Sequence, residues 1–190
     1  MPASANRSAK DALCGFHPAV RTWFERRFEA GPTAAQALGW PPIARGEDTL
    51  IAAPTGSGKT LSAFLVCIDR FYQDARSAAH AAADSFALTG EPEVEAEPSL
   101  AGVEVIYVSP LKALAADIQA NLSGPLAEIG DVARELGHPV PEIRVGMRSG
   151  DTPASARAGR CGAAPCRTIR LRPRRNSMSR TCPTRWAWWI

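Results

Sequence analysis

One run of residues carries types and spacing that can do chemistry. An apolar stretch, Thr49-Leu50-Ile51-Ala52-Ala53, leads into Pro54-Thr55-Gly56-Ser57-Gly58-Lys59-Thr60, and a helical pattern follows. Gly56, Ser57 and Gly58 are small or glycine positions, so the backbone there can curl until successive N–H groups point inward. The next helix adds the positive end of its dipole to the same spot. That is a cradle for phosphate. Lys59 is spaced to bridge the β and γ phosphates of a nucleotide, and Thr60 to set its hydroxyl on Mg²⁺. Ala53 stands where the strict motif has glycine, a small side chain for a smaller one.

The flanking patterns must position that loop. Residues 49–53 read as a short buried strand, and Leu61, Phe64, Leu65, Ile68, Phe71 and Tyr72 recur at helical spacing on one face after it. Strand, loop and helix is the order a phosphate cradle requires. Upstream, Val20, Trp23, Phe24 and Phe28 predict a helix over 20–28, closed by Gly31-Pro32. Thr33 then caps a short helix that should stop at Pro41-Pro42. Within it lies Gln36, whose amide offers the donor and acceptor that match N6 and N7 of adenine, although a glutamine taken alone reads as an ordinary surface residue.

Downstream, residues 77–100 turn alanine-rich, then acidic and proline-punctuated, and read as a solvated surface insertion. A second strand is expected over 102–109, with a helix over 110–122 carrying Leu111, Leu114, Ile118 and Leu122. A further helix over 125–136 and a third strand over 142–147 follow, the strand opening onto a turn at 148–152. Repeated strand–helix units predict an α/β fold with a parallel sheet and ligands at the carboxyl ends of its strands.

Composition bounds the rest. With 190 residues the chain has room for one ordinary domain. It shows neither a signal segment nor a run of apolar residues long enough for a membrane span, which reads as a cytoplasmic protein with no membrane partner. Five cysteines fit no secreted scaffold, and three scattered histidines form no metal cluster. Residues 1–15 read as a disordered tail. The net charge of +3 conceals a split: residues 1–156 hold 13 Lys and Arg against 19 Asp and Glu, whereas 157–190 hold 9 Arg and no acid.

Taken together, Pro32-Thr33-x-x-Gln36, Gly39-Trp40-Pro41, the 53–60 loop, Tyr107-Val108-Ser109-Pro110-Leu111-Lys112-Ala113-Leu114 and Gly150-Asp151-Thr152-Pro153 resemble superfamily 2 helicases of the large helicase-related (Lhr) type. The resemblance covers about residues 16–156. It implies an ATP-driven motor on single-stranded DNA or RNA, normally built from two RecA-like domains, of which this chain matches part of the first. By that match ATP and Mg²⁺ are held by Gln36, Thr55, Gly56, Ser57, Gly58, Lys59 and Thr60, with Thr60 on the metal. Nucleic acid is met by Ser109, Pro110, Leu111, Lys112, Gly150, Asp151 and Thr152. Phe16 and Phe28 are both candidates to pack near the base.

Beyond about residue 156 the resemblance ends. The expected Thr-Pro-Glu-Ser loop and the apolar strand ending in Asp-Glu-x-His do not follow, so no catalytic carboxylate is assigned and the second RecA-like domain is missing. Residues 157–190 read as an irregular, Arg-rich tail: an out-of-frame product, a basic arm for nucleic-acid phosphates, or a metal knuckle at Cys161 and Cys166. The expectation is an incomplete RecA-like P-loop NTPase domain that binds ATP without hydrolysing it. The alternatives are a non-enzymatic nucleotide- or nucleic-acid-binding module that uses the basic tail, and an unrelated phosphate-loop enzyme such as a small kinase.

Overall fold

The computed structural model describes residues 12–89, 102–109, 112–147, 167–173 and 186–189. Its elements in chain order are α1 (Pro18–Arg27), α2 (Ala34–Ala44), α3 (Lys59–Thr89), β1 (Gly102–Ser109), α4 (Lys112–Glu135), β2 (Ile143–Met147), β3 (Arg167–Pro173) and β4 (Trp186–Trp189). They fall into two compact units, one of residues 1–78 with 128–140, the other of 79–127 with 141–190.

In the first unit α1 starts where the chain offers a cap. His17 Nδ1 accepts the N–H of Ala19 at 3.2 Å, and Pro18 occupies the first turn, where its missing N–H costs nothing. The helix buries Ala19, Val20, Trp23 and Phe24. Trp23 Nε1 donates to Glu128 at 2.6 Å, and Arg26 grips Glu135 with two bonds of 2.8 Å, which fixes α1 against the last turns of α4. α4 ends in a Schellman turn: His138 N–H reaches Ala133 O at 2.8 Å, Gly137 N–H reaches Arg134 O at 3.1 Å, and Gly137 takes a φ of 71°.

Three expectations about helices are corrected. α2 does not stop at Pro41-Pro42 but runs to Ala44. Trp40 and Ile43 are both buried on one face, and bonds from Arg45 to Pro41 O and from Glu47 to Pro42 O close the last turn, which offsets the proline penalty. α4 is one helix through Pro125, not two. α3 continues to Thr89 beyond the loss of apolar periodicity at residue 77; residues 77–84 are exposed, and alanine propensity sustains the helix without a face to bury.

The second unit holds a four-stranded parallel sheet in the order β2-β3-β1-β4. β1 pairs with β3 along Ile106↔Arg170 and Tyr107↔Leu171, with an irregularity between Val103 and Val105, and with β4 along Tyr107↔Trp188. β2 pairs with β3 along Val145↔Ile169. Residues 104–108 are buried. The tail is therefore not wholly irregular. Ile169 and Leu171 alternate with Thr168, Arg170 and Arg172, a period-2 pattern, and Trp-Ala-Trp-Trp is rich in residues that favour strands. Arginine content masked both signals.

Residues 49–53 also depart from expectation. They form no strand, and Leu50 is 92% exposed. Apolar composition makes a strand only where a neighbour completes the ladder, and none of the described residues does so here. Among the described residues no helix is long and apolar enough to cross a membrane.

Candidate nucleotide-binding site

The loop 54–60 sits between the 49–53 segment, which has no regular secondary structure, and the first turn of α3. Gly56 and Gly58 take φ values of 80° and 78°, which only glycine adopts cheaply, and Ser57 N–H folds back to Pro54 O at 3.3 Å. The first N–H groups of α3 have no acceptor within the helix, so they and the macrodipole present a positive end to the loop. Ser62 anchors that turn by donating from both N–H and Oγ to Gly58 O, at 2.9 and 3.0 Å.

A second element holds the loop from outside. Thr33 and Gln36 form a capping box: Thr33 N–H donates to Gln36 Oε1 at 2.9 Å, and Gln36 N–H donates to Thr33 Oγ1 at 3.3 Å. Thr33 Oγ1 also donates to Ser57 O at 2.9 Å. The buried amide of Gln36 lies so close that a Cβ on Gly58 would stand 2.5 Å from its Nε2. Glycine at 58 is thus required by its φ, and a Cβ there would also push the end of the Gln36 side chain aside. A Cβ on Gly39, in the next turn of α2, would meet Ile51 Cδ1 at 2.8 Å, so the end of that side chain would have to shift.

Lys59 Nζ donates to Ala53 O and, at 2.7 Å, to Pro54 O, so the ammonium lies folded onto its own loop. Thr55, Gly56 and Thr60 are exposed, and Ser57, Gly58 and Lys59 are half-buried. The structure therefore brings Gln36, Thr55, Gly56, Ser57, Gly58, Lys59 and Thr60 into one place. The residues fit a phosphate chain: a helix N-terminus, a cation on a flexible stem and two positive-φ glycines that let the backbone curl. For Mg²⁺ they offer the Thr60 hydroxyl, and no metal-holding group of three His, Cys, Asp or Glu occurs among the described residues.

Gln36 Oε1 already accepts the N–H of Thr33, which leaves one lone pair and the Nε2 donors for a base. Phe16 packs edge-on to Trp40, with centroids 5.0 Å apart, whereas Phe28 packs on Phe24 at 4.6 Å and is 36% exposed. Ser109 ends β1 and Lys112 begins α4. Pro110, Leu111, Gly150, Asp151 and Thr152 lie outside the described residues. The functional group that spacing did not select is the Thr33 hydroxyl. Its signal was present, since Thr-x-x-Gln is a capping-box pattern, but nothing in a sequence says that the same oxygen reaches residue 57.

Comparison with known proteins agrees with this geometry. The DEAD/DEAH box helicase family matches residues 33–148. The Lhr helicase/probable uracil glycosylase of Mycolicibacterium smegmatis is 48% identical over 147 residues, 77% of this chain and 8% of that protein. The Lhr helicase/uracil glycosylase of Escherichia coli is 43% identical over 143 residues, 75% of this chain and 8% of its own length. An ATP-dependent helicase Lhr-Core of Methanocaldococcus jannaschii is 40% identical over 136 residues, covering 72% of this chain and 14% of its own length. Among solved structures, the Mycobacterium smegmatis helicase Lhr bound to ssDNA and AMP-PNP superposes with a TM-score of 0.63 at 41% identity, covering 85% of this chain and 17% of that one. The chain thus spans a small fraction of the length of its relatives.

Proposed function

The chain belongs to the DEAD/DEAH box helicase family, and from that premise we propose that it is the ATP-binding front of an Lhr-type helicase. It binds ATP with Mg²⁺ at residues 54–60 and meets single-stranded DNA or RNA through the 109–112 and 150–152 blocks. It belongs to an incomplete first RecA-like domain, and by itself it neither hydrolyses ATP nor unwinds a duplex. The observation that carries the nucleotide reading is the bond from Thr33 Oγ1 to Ser57 O, with Gln36 close beside Gly58, which joins the Thr33–Gln36 segment to the phosphate loop.

Binding is an exchange of partners. Lys59 gives up the neutral carbonyls of Ala53 and Pro54 for phosphate oxygens, where both partners of the bond carry charge. The first turn of α3 then faces the phosphates without moving, because Ser62 and Gly58 already fix it. Mg²⁺ would be held by the Thr60 hydroxyl and would supply charge neutralisation to the phosphates. Hydrolysis further needs carboxylates that hold the metal and orient water, and the sequence has no apolar strand ending in Asp-Glu.

Fluorescence titration of the whole chain with a labelled ATP tests this reading. Lys59→Ala is expected to weaken binding by roughly 10- to 100-fold, the worth of a charge-assisted contact of about 1.5–3 kcal/mol. Turnover of ATP above the Lys59→Ala background would sink the inactive half of the proposal, and equal binding by the variant would sink the rest. A second reading, nucleic-acid binding through the arginines of 157–190, draws on the pairing of Arg167–Pro173 with β1 in the sheet. Its mark would be a steep fall in oligonucleotide affinity with salt. Substitution of arginines is the proper test, since deletion would also strip both neighbours from β1.

A further inference from the structure

Far from the loop, the first unit holds a cavity of about 390 Å³ between the 14–16 turn, α1 and the fourth and fifth turns of α3. Arg76 lies 17 residues beyond Lys59 on one helix, so the cavity is roughly 25 Å along the axis from the phosphate loop at 1.5 Å per residue. A nucleotide whose phosphates lie on Lys59 does not reach it with those phosphates.

Its lining is charged and pre-set. Arg76 is half-buried, and one N–H donates to Gln73 Oε1 at 2.8 Å. Gln73 is itself fixed, because its Nε2 donates to Gly15 O at 3.1 Å. Among the described residues Arg76 makes no contact ion pair, although a guanidinium carries five N–H donors, and the Asp69 carboxyl acts on it electrostatically. Across the cavity, Arg21 of α1 uses its Nε on Glu25 at 3.0 Å, which leaves its terminal nitrogens to other partners. Thr22 adds a hydroxyl to the same wall. The lining itself carries two guanidinium forks against one carboxylate, with the Asp69 carboxyl acting on Arg76 besides.

Arg76 feels the Asp69 carboxyl but makes no contact ion pair with it, and a planar fork held by a second side chain is pre-organised for an oxyanion. We propose that this cavity is a second oxyanion site, distinct from the nucleotide loop, that takes a phosphate group between Arg76 and Arg21. The volume exceeds what one phosphate fills, so the group can be inorganic phosphate, a small phosphomonoester, or a phosphodiester of bound single-stranded nucleic acid.

The test uses the full 190-residue chain carrying Lys59→Ala, which removes the loop's own hold on phosphate, titrated calorimetrically with inorganic phosphate. One saturable site is expected. Adding Arg76→Gln should weaken it at least tenfold, Arg21→Gln several-fold, and Arg76→Lys by an intermediate amount, since it keeps the charge and loses the fork. Circular dichroism confirms that each variant keeps its helices; Arg21→Gln, at an exposed position, reads the site even if Arg76→Gln unfolds. An oligothymidylate without terminal phosphates that displaces inorganic phosphate assigns the site to nucleic-acid backbone, and failure to displace assigns it to free phosphate groups. No saturable site in the Lys59→Ala chain, or unchanged affinity in both arginine-to-glutamine variants, overturns the proposal.

Discussion

Residues 49–53 and β1 carry nearly the same message in sequence, a short apolar run leading to a turn and a helix, yet they end differently. β1 is paired in parallel on both sides, and residues 104–108 are buried. The 49–53 segment joins no ladder, and Leu50 stands 92% exposed. The loop that follows it nevertheless has the geometry of a phosphate cradle. What holds the cradle is therefore not a strand behind it but the Thr33–Gln36 capping box beside it and Ser62 beneath it. Strand formation is a property of neighbours, whereas loop geometry here is local.

The largest effect that would test this contrast lies in β1. Ile106 is buried and flanked on both sides, so Ile106→Ala is expected to cost about 2–5 kcal/mol, read as a shift of the urea midpoint. A loss no greater than that of a substitution at Leu50 would erase the distinction between the two segments.

Next in size is the cradle itself. Gly58→Ala forces a Cβ onto a φ of 78° and to within 2.5 Å of Gln36 Nε2. The expected cost is about 1–3 kcal/mol, with loss of ATP binding. Adding Gln36→Ala should recover the share due to the contact and none of the share due to φ. Full recovery would mean that the glycine conformation matters little, and no recovery that the capping box does not hold the loop.

These positions also mark what was legible. The glycine-rich loop, the Thr33 cap and the existence of the helices, though not their ends, were legible because each depends on near neighbours in sequence: glycine for positive φ, threonine for a cap, apolar side chains three and four apart. β1 and β2 were legible for the same reason. What escaped depends on distant partners. The non-strand at 49–53 is decided by what lies beside it, β3 and β4 hide under an arginine-rich composition, and the Thr33–Ser57 bond joins residues 24 apart. Helix α2 running through Pro41-Pro42 is settled by the burial of Trp40 and Ile43, which outweighs a local rule.

A smaller effect lies at the cap of α1, again a locally built feature secured by a distant group. His17 N–H donates to Asp69 on α3. Burial, with help from His138 and Arg76, pushes the His17 imidazole down to about 4 from 6.5. Burial pushes the Asp69 carboxyl up to about 6 from 3.8, against the His17 N–H, Gln73 and Arg76, which lower it. The signs oppose. The stability tied to His17 is present above pH 6.5 and lost as pH falls toward 4. That tied to Asp69 is present below 3.8 and lost as pH rises through 6. Between about pH 4 and 6 the two offset each other. Asp69→Asn should therefore make stability fall with acid across this window, and His17→Asn, which keeps a capping side chain, should make it rise. Thermal melts at half-unit pH steps give the slopes, and parallel slopes in the two variants would show that the pair does not titrate as described.

The smallest effect is the most pointed. Because Leu50 makes no ladder and is almost wholly exposed, Leu50→Ser should change stability by no more than about 0.5 kcal/mol while reducing self-association, since it removes an apolar side chain from water. The substitution also leaves Ile51, which packs on Gly39, untouched, so ATP binding should survive it. Sedimentation and a urea titration of the same sample decide the matter. A loss of more than about 1 kcal/mol, a size that exposed positions rarely reach, would mean that Leu50 is covered in solution. The 49–53 segment would then count as a strand that finds its neighbour, and the cradle would have a strand behind it.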